Sequence, residues 1–133
     1  MNEDTVKKWI MKADNDLKIA KDELRIENLA SDMICFHAQQ CVEKYLKAFL
    51  IFNGVEIPRT HDIAHLIALC AELDPEFENL NRVEVVALTD YAVEVRYPED
   101  FYFPDVEEAI RSLEIAEEVK SFILKRLRES GYE

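Results

Sequence analysis

The chain has 133 residues, 49% of them hydrophobic, which is enough for a domain with its own core and predicts a single domain over residues 1–133. Its formal net charge of −12 argues against a broad nucleic-acid surface such as a DNA-binding face, and against binding to an anionic membrane, but it leaves room for a small basic pocket. Only two glycines and four prolines interrupt the chain, which favours long helices with few turns.

The first predicted helix covers the segment EDTVKKWIMKADNDLKIAKDEL. Apolar side chains recur in it at steps of three and four, which is the spacing of one helix face. They are Val6, Trp9, Ile10, Ala13, Leu17, Ala20 and Leu24. Lysines and aspartates fill the opposite face, and Asp4 or Thr5 can cap the start of the helix.

A second helix is predicted from about residue 29 to residue 52, and it is apolar almost all round. It includes HAQQCVEKYLKAFL, in which two glutamines, a Glu–Lys pair and a histidine interrupt the apolar pattern. Ser31 or Asp32 lies in its first turn or at its cap, and Asn53-Gly54 ends it with a left-handed position. Such a helix is central, or it faces both a core and a partner subunit.

Three further helices complete the prediction. A short helix follows a cap at Thr60 or Asp62. A helix over about residues 80–95 keeps helical steps despite several β-branched residues, and Pro98 ends it. The last helix begins near Asp105, with acidic residues in its first turn. The predicted fold class is all-α: an antiparallel up-and-down helical bundle of four longer helices and one short helix.

The cysteines indicate a reducing compartment. Cys35, Cys41 and Cys70 are odd in number and form no CxxC pair, so buried reduced thiols are favoured over a disulfide framework. Burial also makes a thiol within an apolar helix a poor nucleophile. The first residues are charged where a signal peptide needs an apolar stretch, and no apolar run reaches membrane-spanning length. We expect a cytoplasmic protein.

One pair of residues has the spacing of metal ligands. His61 and His65 lie four apart in THDIAHL, so they can share a helix face, and Asp62 with Asp14 or Asp16 would add oxygen ligands. The glutamate of an HExxH pattern is absent. We therefore favour structural roles, with His61 at the helix start and His65 partly buried, and we expect no metal.

Cationic side chains offer a second kind of site. Arg96 ends a helix beside Tyr97, where it can pair with a carboxylate, the interpretation favoured from its chemistry, or bind a phosphate. Gln40, Lys44 and Lys47 form one polar stripe on the second helix. The pair of Glu43 and Lys47 has the i,i+4 spacing of a salt bridge on a solvated helix face.

In order and spacing, four segments resemble the HEPN domain family. They are KADNDLKIA after Trp9, HAQQCVEKYLKAFL, PRTHDIAHL and YAVEVRYP, and together they span nearly the whole chain. HEPN domains are helical bundles, typically of four or five helices, and they commonly form dimers. The resemblance implies that the glutamine-bearing helix is central and that its polar side chains face a cleft or a subunit interface.

The resemblance also implies several functions. Many small prokaryotic HEPN proteins are encoded beside a minimal nucleotidyltransferase and form a toxin–antitoxin-like module with it. Many members are metal-independent ribonucleases that use an arginine, four to six residues, and then a histidine, with two such motifs in the dimer cleft. Other members are proposed to bind nucleotides or to serve as interaction modules.

The ribonuclease motif is incomplete in this chain. Arg96 matches the arginine, but the three positions for the histidine hold Phe101, Tyr102 and Phe103, and no histidine follows. A phenylalanine cannot act as a general base, and an ordinary tyrosine has too high a pKa for that role at neutral pH. Some HEPN toxins carry a tyrosine two residues after the histidine that the partner adenylylates; here that position is Phe103.

The leading hypothesis is a dimeric HEPN protein that is the partner of a nucleotidyltransferase and holds a nucleotide or an RNA phosphate in a dimer cleft, without catalysis by the usual mechanism. Tyr97 and Tyr102 would stack on a base there. The candidate ligand-binding residues are Arg96, Tyr97, Tyr102, Lys44, Lys47, Gln40 and His61. No cofactor beyond that nucleotide is expected. The alternatives are a divergent ribonuclease that uses His37 or His61, and a dimeric interaction module without a ligand.

Overall fold

The computed structural model describes residues 2–92 and 101–133 of the protein, and no β-strand occurs in these two ranges. The α-helices are α1 (Asn2–Leu24), α2 (Ser31–Phe52), α3 (Ile63–Leu73), α4 (Val83–Val86) and α5 (Val106–Glu129). Two 3₁₀ segments, Pro75–Leu80 and Ala87–Tyr91, flank α4. The predicted all-α fold, an antiparallel up-and-down bundle, is confirmed.

Helix α2 lies at the centre of the bundle, where it packs against α1, α3 and α5. Its apolar side chains are buried on nearly all sides, as its sequence predicted. The largest of them are Tyr45, Phe49, Leu46, Leu50 and Ile34. Phe49 also contacts the ring of Phe77 in the first 3₁₀ segment, with 4.4 Å between the ring centroids. The central helix is therefore surrounded within one chain.

Several helix ends follow the predicted signals. The carboxylate of Asp62 accepts a hydrogen bond from the backbone N–H of His65, and that of Asp105 accepts one from the N–H of Glu108. Such side-chain caps satisfy N–H groups that the first helical turn leaves without partners. Gly54 follows α2 with a φ of +75°, a left-handed conformation that suits glycine.

The start of α1 differs from the prediction. The helix begins at Asn2, so Asp4 and Thr5 lie within its first turn and do not cap it. Acidic side chains at the N-terminal end of a helix are stabilised by its dipole, so Asp4 still suits this position.

The predicted helix over residues 80–95 is divided into shorter pieces. The backbone of Arg82 is extended, and between it and residue 92, where the described stretch ends, lie the four residues of α4 and the second 3₁₀ segment. Val83 keeps the helical spacing of this region, yet it is 88% exposed. The β-branched residues of this region have modest helix propensity, so helical spacing alone does not make it one long helix. The end of the prediction, including Pro98, lies outside the described residues.

Within residues 2–92 and 101–133, no helix is both long enough and apolar enough to span a membrane.

Candidate functional site

A first polar cluster joins α1 to α2. The carboxylate of Asp16 lies 2.7 Å from Nδ1 of His37 and 2.6 Å from Nζ of Lys44. Asp16 is only 7% exposed, and the side chains of His37 and Lys44 are 18% and 22% exposed. We call these three residues the Asp16 cluster. A carboxylate that accepts from two donors holds both of them in place, because charge-assisted hydrogen bonds are the stronger kind.

A second cluster surrounds Glu43, a buried residue of α2 that directly precedes Lys44 in the sequence. Its carboxylate accepts hydrogen bonds from Lys47 at 2.7 Å and from Gln39 at 3.0 Å, and it lies 2.9 Å from Nδ1 of His61. Gln40 donates to the side-chain oxygen of Gln39 at 2.7 Å. We call these five residues the Glu43 cluster. It connects the middle of α2 to the segment that precedes α3.

The pair of Glu43 and Lys47 is not a solvated helix face, so that interpretation was wrong. Glu43 is 4% exposed and Lys47 is 7% exposed. Burial alone would raise the pKa of Glu43, but the hydrogen bonds from Lys47, Gln39 and His61 outweigh it and hold that pKa below its ordinary value. The ammonium of Lys47 also lies 5.9 Å from the ring centroid of Trp9, within the range of a cation–π contact.

The predicted polar stripe of Gln40, Lys44 and Lys47 is divided between these two clusters. Lys44 pairs across to α1, whereas Gln40 and Lys47 belong to the Glu43 cluster. These contacts explain why such an apolar helix carries so many polar side chains: they pair with other polar side chains of the same chain. A phosphate at either lysine would have to displace a carboxylate.

The two histidines of the possible metal pair lie in different surroundings. His61 lies against Glu43, and His65 is exposed rather than partly buried, because it lies on the outer face of α3. Among the described residues, no group of three or more His, Cys, Asp or Glu side chains is placed to hold a metal ion.

A large cavity lies elsewhere, between the start of α2, the second 3₁₀ segment and the start of α5. Its volume is about 720 Å³, within the range of small-molecule sites. Aromatic rings and carboxylates make up most of its wall. The described residues that line it are Asp32, Met33, Phe36, Ala87, Asp90, Tyr91, Phe101, Tyr102, Phe103, Pro104 and Glu108. We call it the aromatic cavity.

Glu108 holds both tyrosines of the cavity's described wall in place. Tyr91 and Tyr102 both donate their hydroxyl hydrogen bonds to its carboxylate, the latter at 2.5 Å. The hydrogen bond to Glu108 raises the pKa of Tyr102, and burial together with the same carboxylate raises the pKa of Tyr91. Both phenols therefore stay neutral and act as donors at physiological pH.

The predicted site residues thus fall in different places. Tyr102 lines the aromatic cavity, while Lys44, Lys47, Gln40 and His61 belong to the two clusters on α2. Arg96 and Tyr97 lie outside the described residues.

The sequence interpretation missed several residues that shape these sites. Phe36, Asp32 and Glu108 in the aromatic cavity had no distinguishing motif. Only the position of Asp32 and Glu108 in first helical turns was visible, and that position suits acids whatever their function.

Comparison with known proteins identifies relatives across the whole bundle. The HEPN domain family matches residues 6–127. A curated protein of Methanocaldococcus jannaschii, "Putative toxin MJ1304", is 28% identical over 138 residues, with 90% of this chain and 89% of that protein covered.

Two solved structures share the fold. The archaeal HEPN homologue ST0689 superposes with a TM-score of 0.66 at 25% identity, over 92% of this chain and 97% of the other. TT1696 from Thermus thermophilus superposes with a TM-score of 0.73 at 24% identity, over 96% of this chain and all of the other.

Proposed function

The chain belongs to the HEPN domain family, and we propose that it is the toxin-like component of a two-component module whose other component is a nucleotidyltransferase. The observation that carries this proposal is the likeness to the M. jannaschii protein named a putative toxin, which extends over 90% of this chain. Isolation of the tagged chain from its own host tests it: a nucleotidyltransferase should accompany the chain in equimolar amount.

We further propose that the protein works as a homodimer in the cytoplasm. Three buried free thiols suit a reducing compartment. Size-exclusion chromatography with light scattering tests the dimer. The chain has a mass of 15.5 kDa, so the eluted particle should have a molar mass of twice that value.

A nucleotide or RNA phosphate is the proposed ligand of Arg96. The exposed rings that follow it support this, since Phe101, Tyr102 and Phe103 are 59%, 60% and 73% exposed and can stack on a base. Lys44 and Lys47 are weaker phosphate ligands than the sequence suggested, because each is paired with a carboxylate. The net charge of −12 confines such binding to a local site.

Nucleotide binding is tested with AMP and a short single-stranded RNA. The Arg96→Gln variant should lose binding, whereas Arg59→Gln, which removes the same charge from an exposed linker position, should keep it. Equal affinity in both variants would remove Arg96 from the proposal.

A divergent ribonuclease is the second candidate, and the Asp16 cluster favours His37 over His61 as its base. The hydrogen bond between Nδ1 of His37 and Asp16 fixes the ring tautomer, so that Nε2 can accept a proton. His61 has the same kind of carboxylate partner, but its side chain is 62% exposed and therefore less firmly held. RNA cleavage that disappears in His37→Ala and Arg96→Ala but persists in His61→Ala would establish this activity; an equal trace rate in all variants would indicate contamination.

A further inference from the structure

The described wall of the aromatic cavity combines aromatic rings with carboxylates, a combination that attracts a cation. Five aromatic residues and three carboxylate residues line its described wall, and no Lys, Arg or His stands among the lining residues that the structure describes. Carboxylates repel an anion, whereas a carboxylate beside aromatic faces attracts a cation by charge and by the ring quadrupole. We propose that the aromatic cavity binds an arginine side chain from a basic segment of a partner protein.

The wall of the aromatic cavity is preorganised for an arginine side chain. Glu108 holds Tyr91 and Tyr102 through their hydroxyl groups, which fixes two of the rings before anything binds. A carboxylate offers about four acceptor positions, so Glu108 keeps free lone pairs after accepting from both tyrosines. Asp32, in the first turn of α2, adds a second carboxylate to the wall. Rings that are already fixed lose little entropy on binding.

An arginine fits this wall better than a compact ammonium group does. The guanidinium is planar, stacks on aromatic faces and is weakly hydrated. Its desolvation therefore costs less free energy than that of a lysine ammonium group. Its donors can meet a carboxylate in a bidentate manner. The cavity volume of about 720 Å³ exceeds what one side chain needs, which leaves room for the adjoining backbone.

The rim of the aromatic cavity favours a protein segment over a free amine. Phe101 and Phe103 line the cavity, yet they are 59% and 73% exposed, so they offer apolar surface outside it. Residues on either side of an arginine can pack on these two rings, whereas a free polyamine has no apolar flanks. The net charge of −12 adds a long-range attraction for a basic segment. This inference holds whether or not the partner is a nucleotidyltransferase.

Titration of isotope-labelled protein with capped model compounds, followed by NMR, tests the proposal at 0.15 M salt. The probes are acetyl-arginine amide, its neutral citrulline analogue, a capped tripeptide with a central arginine, spermidine and AMP. Arginine amide should shift the signals of the aromatic cavity, and the tripeptide should bind more tightly. The citrulline analogue should bind about five- to tenfold more weakly, the range expected when a cation–π contact of 1–1.4 kcal/mol is lost.

Matched variants separate the site from general attraction to an acidic protein. Asp32→Asn and Phe103→Ser should each weaken tripeptide binding by about fivefold. Glu3→Gln removes a first-turn charge from α1, and Met11→Ser removes an apolar side chain that is 57% exposed; neither should alter the affinity. All four positions are partly or fully exposed or lie at helix ends, so folding of each variant is verified by its own spectrum.

Three results would overturn the inference. The citrulline and arginine compounds could bind with equal affinity, which would mean that the positive charge does not contribute to binding. Spermidine could match the tripeptide, which would mean that a free amine suffices. AMP could shift the signals of the aromatic cavity while arginine does not, which would make it a nucleotide site. None of these results bears on whether a nucleotidyltransferase accompanies the chain, so that proposal and this one fail independently. The AMP result alone also bears on the nucleotide proposed as the ligand of Arg96, because Phe101, Tyr102 and Phe103 line the aromatic cavity.

Discussion

Nδ1 of His37 lies 2.7 Å from the carboxylate of Asp16, although the two residues are 21 positions apart and belong to different helices. The same carboxylate accepts a hydrogen bond from Lys44, so one buried acid holds two side chains of α2 against α1. A single substitution at this acid therefore leaves two donors without their partner. Leaving buried polar groups unsatisfied is more costly than the average value of a hydrogen bond suggests.

Asp16→Asn should lower the free energy of unfolding by roughly 2 kcal/mol, because His37 and Lys44 lose their charged acceptor. Urea denaturation followed by circular dichroism measures this change. Asp22→Asn is the matched control, since it breaks the exposed pair with Lys18 and should leave the midpoint unchanged. Equal midpoints for both variants would show that the Asp16 cluster contributes nothing to stability.

Glu43 should make the protein sensitive to acid. Its pKa in the folded protein lies below the ordinary value of 4.5, so its contribution to stability is present above pH 4.5 and is lost as the pH falls through the lower folded-state pKa. The difference in unfolding free energy between the wild type and Glu43→Gln should therefore be largest near neutral pH and shrink in acid. A difference that stays constant from pH 7 to about pH 3 would contradict this account.

The buried pair of Glu43 and Lys47 should behave as a unit. Lys47→Met should cost about 3 kcal/mol, because it leaves a carboxylate that is 5% exposed without its cation. The double variant Glu43→Leu/Lys47→Met should be more stable than Lys47→Met alone, with a coupling energy of roughly 1–3 kcal/mol. Chemical denaturation of the wild type, Glu43→Leu, Lys47→Met and the double variant gives that energy, and strictly additive effects would show that the two residues act independently.

The three cysteines should be unreactive in the folded protein. Cys35, Cys41 and Cys70 are buried and free, and burial raises the pKa of each thiol. A disulfide reagent such as DTNB should therefore label none of them within minutes, and all three after denaturation. Rapid labelling of one thiol in the native state would identify a cysteine that the fold leaves accessible.

The bundle itself was predictable because its long helices carry regular apolar patterns. The patterns of α1 and α5 each mark one buried face, and α2 is apolar almost all round, as suits a central helix. Asp62, Asp105 and Gly54 mark helix ends by local chemistry that does not depend on the rest of the fold. The region after residue 80 was less predictable, since its β-branched residues fit a helix by spacing alone. Val83 keeps helical spacing but is exposed.

The site was harder to predict because its residues come from distant parts of the chain. An i,i+4 pair of Glu43 and Lys47 looks the same on a solvated helix as in a buried cluster. Only the tertiary structure brings His61 to Glu43 and Asp16 to Lys44. The aromatic cavity likewise depends on how α2 meets the start of α5. In the sequence, Phe101, Tyr102 and Phe103 stand where the ribonuclease motif needs its histidine; only the tertiary structure places them in the cavity wall.

Affinity purification from the native host, with quantitative mass spectrometry of the eluate, tests the two-component proposal most directly. The tagged chain should carry a nucleotidyltransferase at a molar ratio near one, and the complex should persist through a second size-exclusion step. An untagged culture and an unrelated acidic protein with the same tag serve as controls for adventitious capture. The proposal predicts the stoichiometric complex; recovery of the homodimer alone, without any nucleotidyltransferase, would contradict it.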